Sequence, residues 1–162
     1  LPYNVGTPIV RRLIASDAVS DIQVVLQLEV ADRLLADAGG KDCGPLSIVV
    51  ALRCRRERLR LLAPGCFRPR PKVTSCAVRL TRLADPPLAA AAIPHVERWL
   101  FAAFAQRRKT LANNLARHRE IVQSFLVAHG LPGDARAEAV PAPLWLELAL
   151  ALDRAEAPGG AL

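Results

Sequence analysis

The stretch Asp21-Ile22-Gln23-Val24-Val25-Leu26-Gln27, followed at once by Leu28-Glu29-Val30-Ala31-Asp32-Arg33-Leu34-Leu35-Ala36, decides the fold class. In the first segment Ile22, Val24, Val25 and Leu26 form a short, mostly β-branched run, which suits a buried strand. In the second, Val30, Leu34 and Leu35 recur at helical spacing until Gly39-Gly40 ends the pattern. A strand that passes directly into a helix is the building unit of an α/β protein. Working outward, residues 7–15 predict a helix with Thr7 as N-cap, Pro8 at its first position, and Ile9, Leu13 and Ile14 turned inward. Residues 45–52 predict another short apolar helix, which keeps the α/β rhythm. Two alternating segments follow, Arg58-Leu59-Arg60-Leu61 and Cys76-Ala77-Val78-Arg79-Leu80-Thr81, each a strand with one face wet; Cys76, Val78 and Leu80 share the dry face of the second. They flank residues 63–74, where Pro64, Gly65, Pro69 and Pro71 leave the chain too stiff and too poor in N–H donors for helix or sheet. A long ordered connection between paired strands is usually functional.

Asp85-Pro86-Pro87 and the alanine-rich tract to Ala92 mark a shift in composition, beyond which the pattern is purely helical. Ile93, Val96, Leu100 and Phe104 hold one stripe; Leu111, Leu115, Val122 and Phe125 a second; Leu144, Leu148 and Leu152 a third. We therefore expect residues 1–84 to be the end of an α/β domain, 85–92 a linker, and 93–162 a small all-α domain.

The 162 residues are 52% hydrophobic and 23% charged, enough for a packed core and too apolar for disorder. The formal charge is +7, and of 22 Lys+Arg only Lys41, Lys72 and Lys109 are lysines. The rest are arginines, whose fork grips phosphate bidentately. An anionic partner fits that bias, although arginine and alanine richness together also arise from coding bias. There is no methionine, and the chain opens on Leu1-Pro2-Tyr3-Asn4, so we expect it to be the C-terminal portion of a longer protein. No charged segment leading into an apolar stretch suggests secretion. Cys43, Cys54, Cys66 and Cys76 are spaced 11, 12 and 10 apart with no Cys-x-x-Cys pair, which argues against a metal site and for reduced, half-buried thiols in a cytoplasmic protein. The longest apolar stretch, near 144–152, is broken by Glu147 and falls short of the roughly 20 residues a membrane span needs. His95, His118 and His129 have no carboxylate or Cys neighbours at ligand spacing and read as structural.

Tyr3 alone reads as a half-buried ring with its hydroxyl in water. Its company changes that reading. Phe67-Arg68-Pro69-Arg70-Pro71-Lys72-Val73, with Ser75 after it, stands some way on, and later come Phe104, Gln106-Arg107-Arg108-Lys109-Thr110-Leu111, Asn113 and Leu115. In this order the segments resemble the ribosomal RNA adenine N6,N6-dimethyltransferase family, whose members dimethylate two adjacent adenosines near the 3′ end of small-subunit rRNA. Leu1-Pro2-Tyr3 supplies the last three members of that family's Asn-Leu-Pro-Tyr motif. Phe67 to Ser75 follows its Phe-x-Pro-x-Pro-Lys-Val-Asp-Ser signature, with Thr74 where Asp is usual; Gln27, Glu29, Val30 and Arg33 match a further one, with Leu28 where Lys is usual.

The resemblance implies the C-terminal part of a Rossmann-like, S-adenosylmethionine-dependent methyltransferase domain over residues 1–84, followed by the small helical domain. Methylating adenine N6 requires the base to leave its stack, and an extruded base needs π-faces to replace its lost neighbours. The resemblance gives that clamp to Tyr3 and Phe67, and assigns Leu1, Pro2 and Tyr3 to the catalytic motif. It implies that acceptors such as the Pro2 carbonyl help the N6 nitrogen to pyramidalise, and that Leu1 touches a cofactor held mostly by residues upstream. Arg107, Arg108 and Lys109 alone could equally be a solvated helix cap; with the resemblance they become RNA phosphate contacts, extended by Arg68, Arg70 and Lys72. Arg53, Arg55, Arg56, Arg58 and Arg60 are expected on a solvated strand face. The implied partner is small-subunit rRNA or a pre-30S particle, bound by a monomer without metal or membrane. The alternatives are a large-subunit adenine methyltransferase of macrolide resistance and a noncatalytic RNA-binding assembly protein.

Overall fold

In a computed structural model, which describes residues 5–157, helix α1 (Gly6–Ala15) leads into strand β1 (Asp21–Gln27), then α2 (Leu28–Leu35) and α3 (Pro45–Arg53). Strands β2 (Cys54–Leu62) and β3 (Ser75–Arg82) complete the sheet, in the order β1-β3-β2. β3 lies between the other two and antiparallel to both, with Val24 opposite Val78 and Arg56 opposite Leu80; the β2 register shifts between Arg58 and Arg60. β1 thus passes directly into α2, as its sequence predicts.

The helices cover one face of the sheet, so burial alternates along the strands. Ile22 and Leu26 of β1 and Cys76, Val78 and Leu80 of β3 are buried, while Gln23 stays exposed. β1 is therefore half-buried by alternation, where the run of apolar residues suggested full burial. α1 also differs in detail. It starts at Gly6, one residue before the expected Thr7 cap, and Val5 before it makes no side-chain cap. Its buried face is accordingly Gly6, Val10 and Ile14, and Ile9 points outward.

α4 (Ile93–Ala103), α5 (Leu111–Asn114), α6 (Arg119–Ala128) and α7 (Leu144–Glu156) form the helical half. Its second predicted stripe is buried as expected, but Leu115 leaves helical geometry (φ −106°, ψ 44°) and splits the segment into α5 and α6. Segment 85–92 is packed: Leu88 is buried and Ala90–Ala92 forms a single 3-10 turn. One cluster of buried side chains runs from Val10 of α1 to Leu152 of α7.

Arg53 overturns the expectation of a wholly solvated arginine run. As the last residue of α3 it is 0% exposed, and it donates to the carbonyls of Ile14 (2.9 Å) and Leu88 (2.7 Å) and to Asp17 Oδ1 (2.6 Å). A buried guanidinium is tolerable only when its donors are met in this way. Arg56 donates to the Ala36 carbonyl and Asp37, and Arg58 to Asp32, so of this run Arg55 and Arg60 have no partner among the described residues.

Candidate RNA and base-binding site

Residues 63–74 form an ordered connection. Pro64–Cys66 makes a 3-10 turn, the Phe67 amide donates to the Pro64 carbonyl (3.3 Å), and the Arg68–Pro69 bond is cis. Phe67 is half-buried, whereas Arg68, Arg70 and Lys72 are exposed. At the far end the Leu28 amide donates to the Thr74 carbonyl at 3.0 Å. Ser75 pairs with both Gln27 and Leu62, so the Thr74 end of the loop stands beside the junction of β1 and α2 and the Ala63 end lies across β3 from it. Leu1, Pro2 and Tyr3 lie outside the described residues.

The basic turn 106–110 is built by the residues around it. The Asn114 side-chain amide donates to the carbonyls of Ala103 (2.7 Å) and Gln106 (3.1 Å), tying the end of α4 to α5. The Thr110 hydroxyl caps α5 by accepting from the Asn113 amide, and Arg119 donates to Asn113 Oδ1 at 2.6 Å. With its backbone held, the turn leaves Arg107, Arg108 and Lys109 exposed. One guanidinium nitrogen of Arg107 donates to the backbone carbonyl of Lys41, in the connection between α2 and α3. Sequence patterning gave no sign of Lys41. A depression of about 440 Å³ beside it is lined by Leu28, Lys41, Asp42, Val73 and Thr74 among others, so the foot of the Phe67 loop, the start of α2 and the Lys41 segment share one surface.

Away from this surface the titratable groups serve the fold. The hydrogen bond from Arg53 holds the Asp17 carboxyl below its usual range, and that from Arg79 does the same for Asp21. Burial pushes the thiols of Cys43 and Cys54 up. All four cysteines are free, but Cys43, Cys54 and Cys76 are buried rather than half-buried, and Cys66 beside Phe67 is exposed. His118 and His129 do have carboxylate neighbours, Glu156 at 3.4 Å and Glu147 at 3.0 Å, brought in by α7. Among the described residues no group of three or more His, Cys, Asp and Glu could hold a metal ion, and no helix is long and apolar enough to cross a membrane.

The family model "Ribosomal RNA adenine dimethylase" matches residues 1–154. The chain belongs to that family. Proteins named ribosomal RNA small subunit methyltransferase A are similar to it: the one from Pseudomonas aeruginosa is 47% identical over 71% of this chain and 43% of its own length, and that from Pseudomonas fluorescens 40% identical over 98% and 58%. The chain thus spans about half the length of these relatives. A crystal structure of a dimethyladenosine transferase from Plasmodium falciparum has the same fold, with a TM-score of 0.76 at 21% identity over 95% of this chain and 65% of that one. The 23S rRNA methyltransferase ErmE is similar at a TM-score of 0.68 and 26% identity, over 94% and 63%.

Proposed function

We propose that the protein carrying this chain transfers methyl groups from S-adenosylmethionine to N6 of two adjacent adenosines near the 3′ end of small-subunit rRNA, in the cytoplasm and as a monomer. The observation that carries the reading is the common surface formed by the Phe67 loop, the β1–α2 junction and the Lys41 segment latched to the basic turn. It suits a base held in one place while phosphates are gripped beside it. In this reading residues 1–84 are the catalytic part, 93–162 the helical RNA-binding part, and 85–92 joins them.

Phe67 stacks on one face of the extruded adenine and Tyr3 on the other, each stack contributing about 1–3 kcal/mol. Its ordered loop lowers the entropic cost of forming the clamp. Leu1 and Pro2 belong with Tyr3 to the catalytic motif in this reading, the Pro2 carbonyl serving as an acceptor for the amino group. Arg68, Arg70, Lys72, Arg108 and Lys109 position the RNA backbone without reading its sequence. S-adenosylmethionine supplies the methyl group when bound. The described residues do not form a holder for it: the described glycines with positive φ, Gly39 and Gly130, follow helices α2 and α6 and open no strand-to-helix turn.

A large-subunit target is the second reading, raised by the likeness to ErmE. The higher identity to proteins named for the small subunit favours the first. Primer extension on both rRNAs tests both readings in the full-length protein. Phe67→Ala and Tyr3→Ala should each cut methylation of small-subunit RNA far more than RNA affinity. Unchanged methylation in both variants rejects the clamp, and methylation confined to large-subunit RNA rejects the target.

A further inference from the structure

The fold sorts its cations into those it uses and those it leaves free. Arg11, Arg33, Arg53, Arg56, Arg58, Arg79 and Arg98 each hold a carboxylate. Within the basic turn the same division recurs. Arg107 is engaged on the Lys41 carbonyl, whereas the side chains of Arg108 and Lys109, and that of Lys41 itself, have no hydrogen-bond or ion-pair partner among the described residues.

The Lys41 segment would otherwise be a loose connection, and it is tied down along its length. Arg56 holds the Ala36 carbonyl and Asp37 at one end, both at 2.7 Å, and the Gly39 amide donates to the Glu138 carbonyl of the helical half at 2.6 Å. Arg107 closes the far side. Two of these ties cross between the sheet half and the helical half. Lys41 is thereby fixed next to the turn that carries Arg108 and Lys109, on the edge of the depression whose other wall is Val73 and Thr74 of the Phe67 loop. Of the acids on that depression Glu29 is paired with Arg33 and Asp32 with Arg58, and Asp42 has no ion-pair partner among the described residues.

We propose that Arg107 is a positioning residue whose guanidinium latches the α2–α3 connection to the helical half, and that the cation it brings to the RNA backbone is Lys41, which joins Arg108 and Lys109 as a phosphate contact. This rests on the RNA-methylating reading above and assigns separate tasks to three adjacent cations that their sequence makes look equivalent. A guanidinium tied to the exposed Lys41 backbone carbonyl is committed to holding that segment, while an ammonium without a partner among the described residues is free to neutralise a phosphate and release counterions.

The salt dependence of binding separates these tasks. The full-length protein is titrated with a small-subunit rRNA fragment carrying the two adjacent adenosines near its 3′ end, across a series of KCl concentrations. Lys41→Ala, Arg108→Ala and Lys109→Ala should each reduce the slope of log K against log salt by about 0.7–0.9, one phosphate contact apiece. Arg107→Ala should reduce it by the same single step, because releasing the latch frees Lys41. The double variant Lys41→Ala/Arg107→Ala should lose no more than either single one, since two residues acting through one contact are not additive. Arg107→Lys, long enough to reach the carbonyl, should restore the slope. A double variant that loses about two steps overturns the proposal, as does an unchanged slope for Lys41→Ala in a variant whose melting temperature matches the wild type. Methylation by the wild type is followed in parallel. If it is absent the functional reading fails; if it is present and the two losses add, only the latch fails.

Discussion

Arg53 shows at the scale of one residue how far a charge pattern can mislead. It opens the run Arg53 to Arg60, whose alternation describes a wet strand face, and that description suits Arg55 and Arg60. Arg53, however, ends α3, and its three acceptors come from Ile14, Asp17 and Leu88, at least 35 residues distant in sequence. Nothing local encodes such a meeting. Because the side chain is fully buried, Arg53→Ala strands two carbonyls and leaves Asp17 with Arg82 alone, and should destabilise the chain by about 2–5 kcal/mol in urea unfolding. A loss below about 1 kcal/mol would mean that water replaces the guanidinium. The same contact has a pH signature. The Asp17 carboxyl titrates lower in the folded chain than when unfolded, so the unfolded state binds its proton first. That contribution is complete above the unfolded pKa, about 4, and fades as the pH falls below it. Asp17→Asn should therefore flatten the acid limb of the stability curve and leave the neutral-to-alkaline limb parallel to the wild type.

Element by element, the strands and helices that bury a periodic face were legible, and the turns that aim functional groups were not. β1 and α3 begin where hydrophobic spacing and Pro45 put them, because a buried face writes its period into the sequence. Leu111, Leu115, Val122 and Phe125 were legible as buried positions, yet the break at Leu115 was not, since apolar spacing survives a change of helix axis. The Gln-Arg-Arg-Lys-Thr motif was visible as a motif. That Asn114 builds its turn, by bonding carbonyls 11 and 8 residues back, required coordinates. Asn114→Ala leaves the Ala103 carbonyl unmet, while the Gln106 carbonyl keeps its bond from the Lys109 amide (2.9 Å), and should cost about 1–3 kcal/mol of stability. It should also weaken binding of small-subunit RNA, though none of its own atoms bears charge. Asn114→Asp cannot donate from its carboxylate and should behave like the alanine variant; wild-type stability and affinity in both would show that the turn stands without this side chain.

On the scale of the whole molecule, the shift in composition at residues 85–92 suggests a separable joint, and the packing suggests a coupled one. Leu88 is 1% exposed, its carbonyl takes a hydrogen bond from Arg53, and it belongs to the same cluster as Val78 of the sheet and Leu148 of α7. Alanine-rich composition describes how little side chain a segment carries, which says nothing about whether one large residue in it is a plug. The latch of Arg107 on Lys41 and the bond from Gly39 to Glu138 add two more ties between the halves. If the core is mechanically single, a cavity at the joint must be felt on both sides of it. Leu88→Ala should cost about 2–5 kcal/mol, the range for removing a buried leucine side chain. Native-state hydrogen exchange should then show protection of Val78 in β3 and of Leu148 in α7 falling by the same factor, because both report one cooperative opening. Protection lost in only one half would mean that the halves open independently, and that the relative placement of Phe67 and the basic turn is set by the ties at Lys41 and Gly39 rather than by the core.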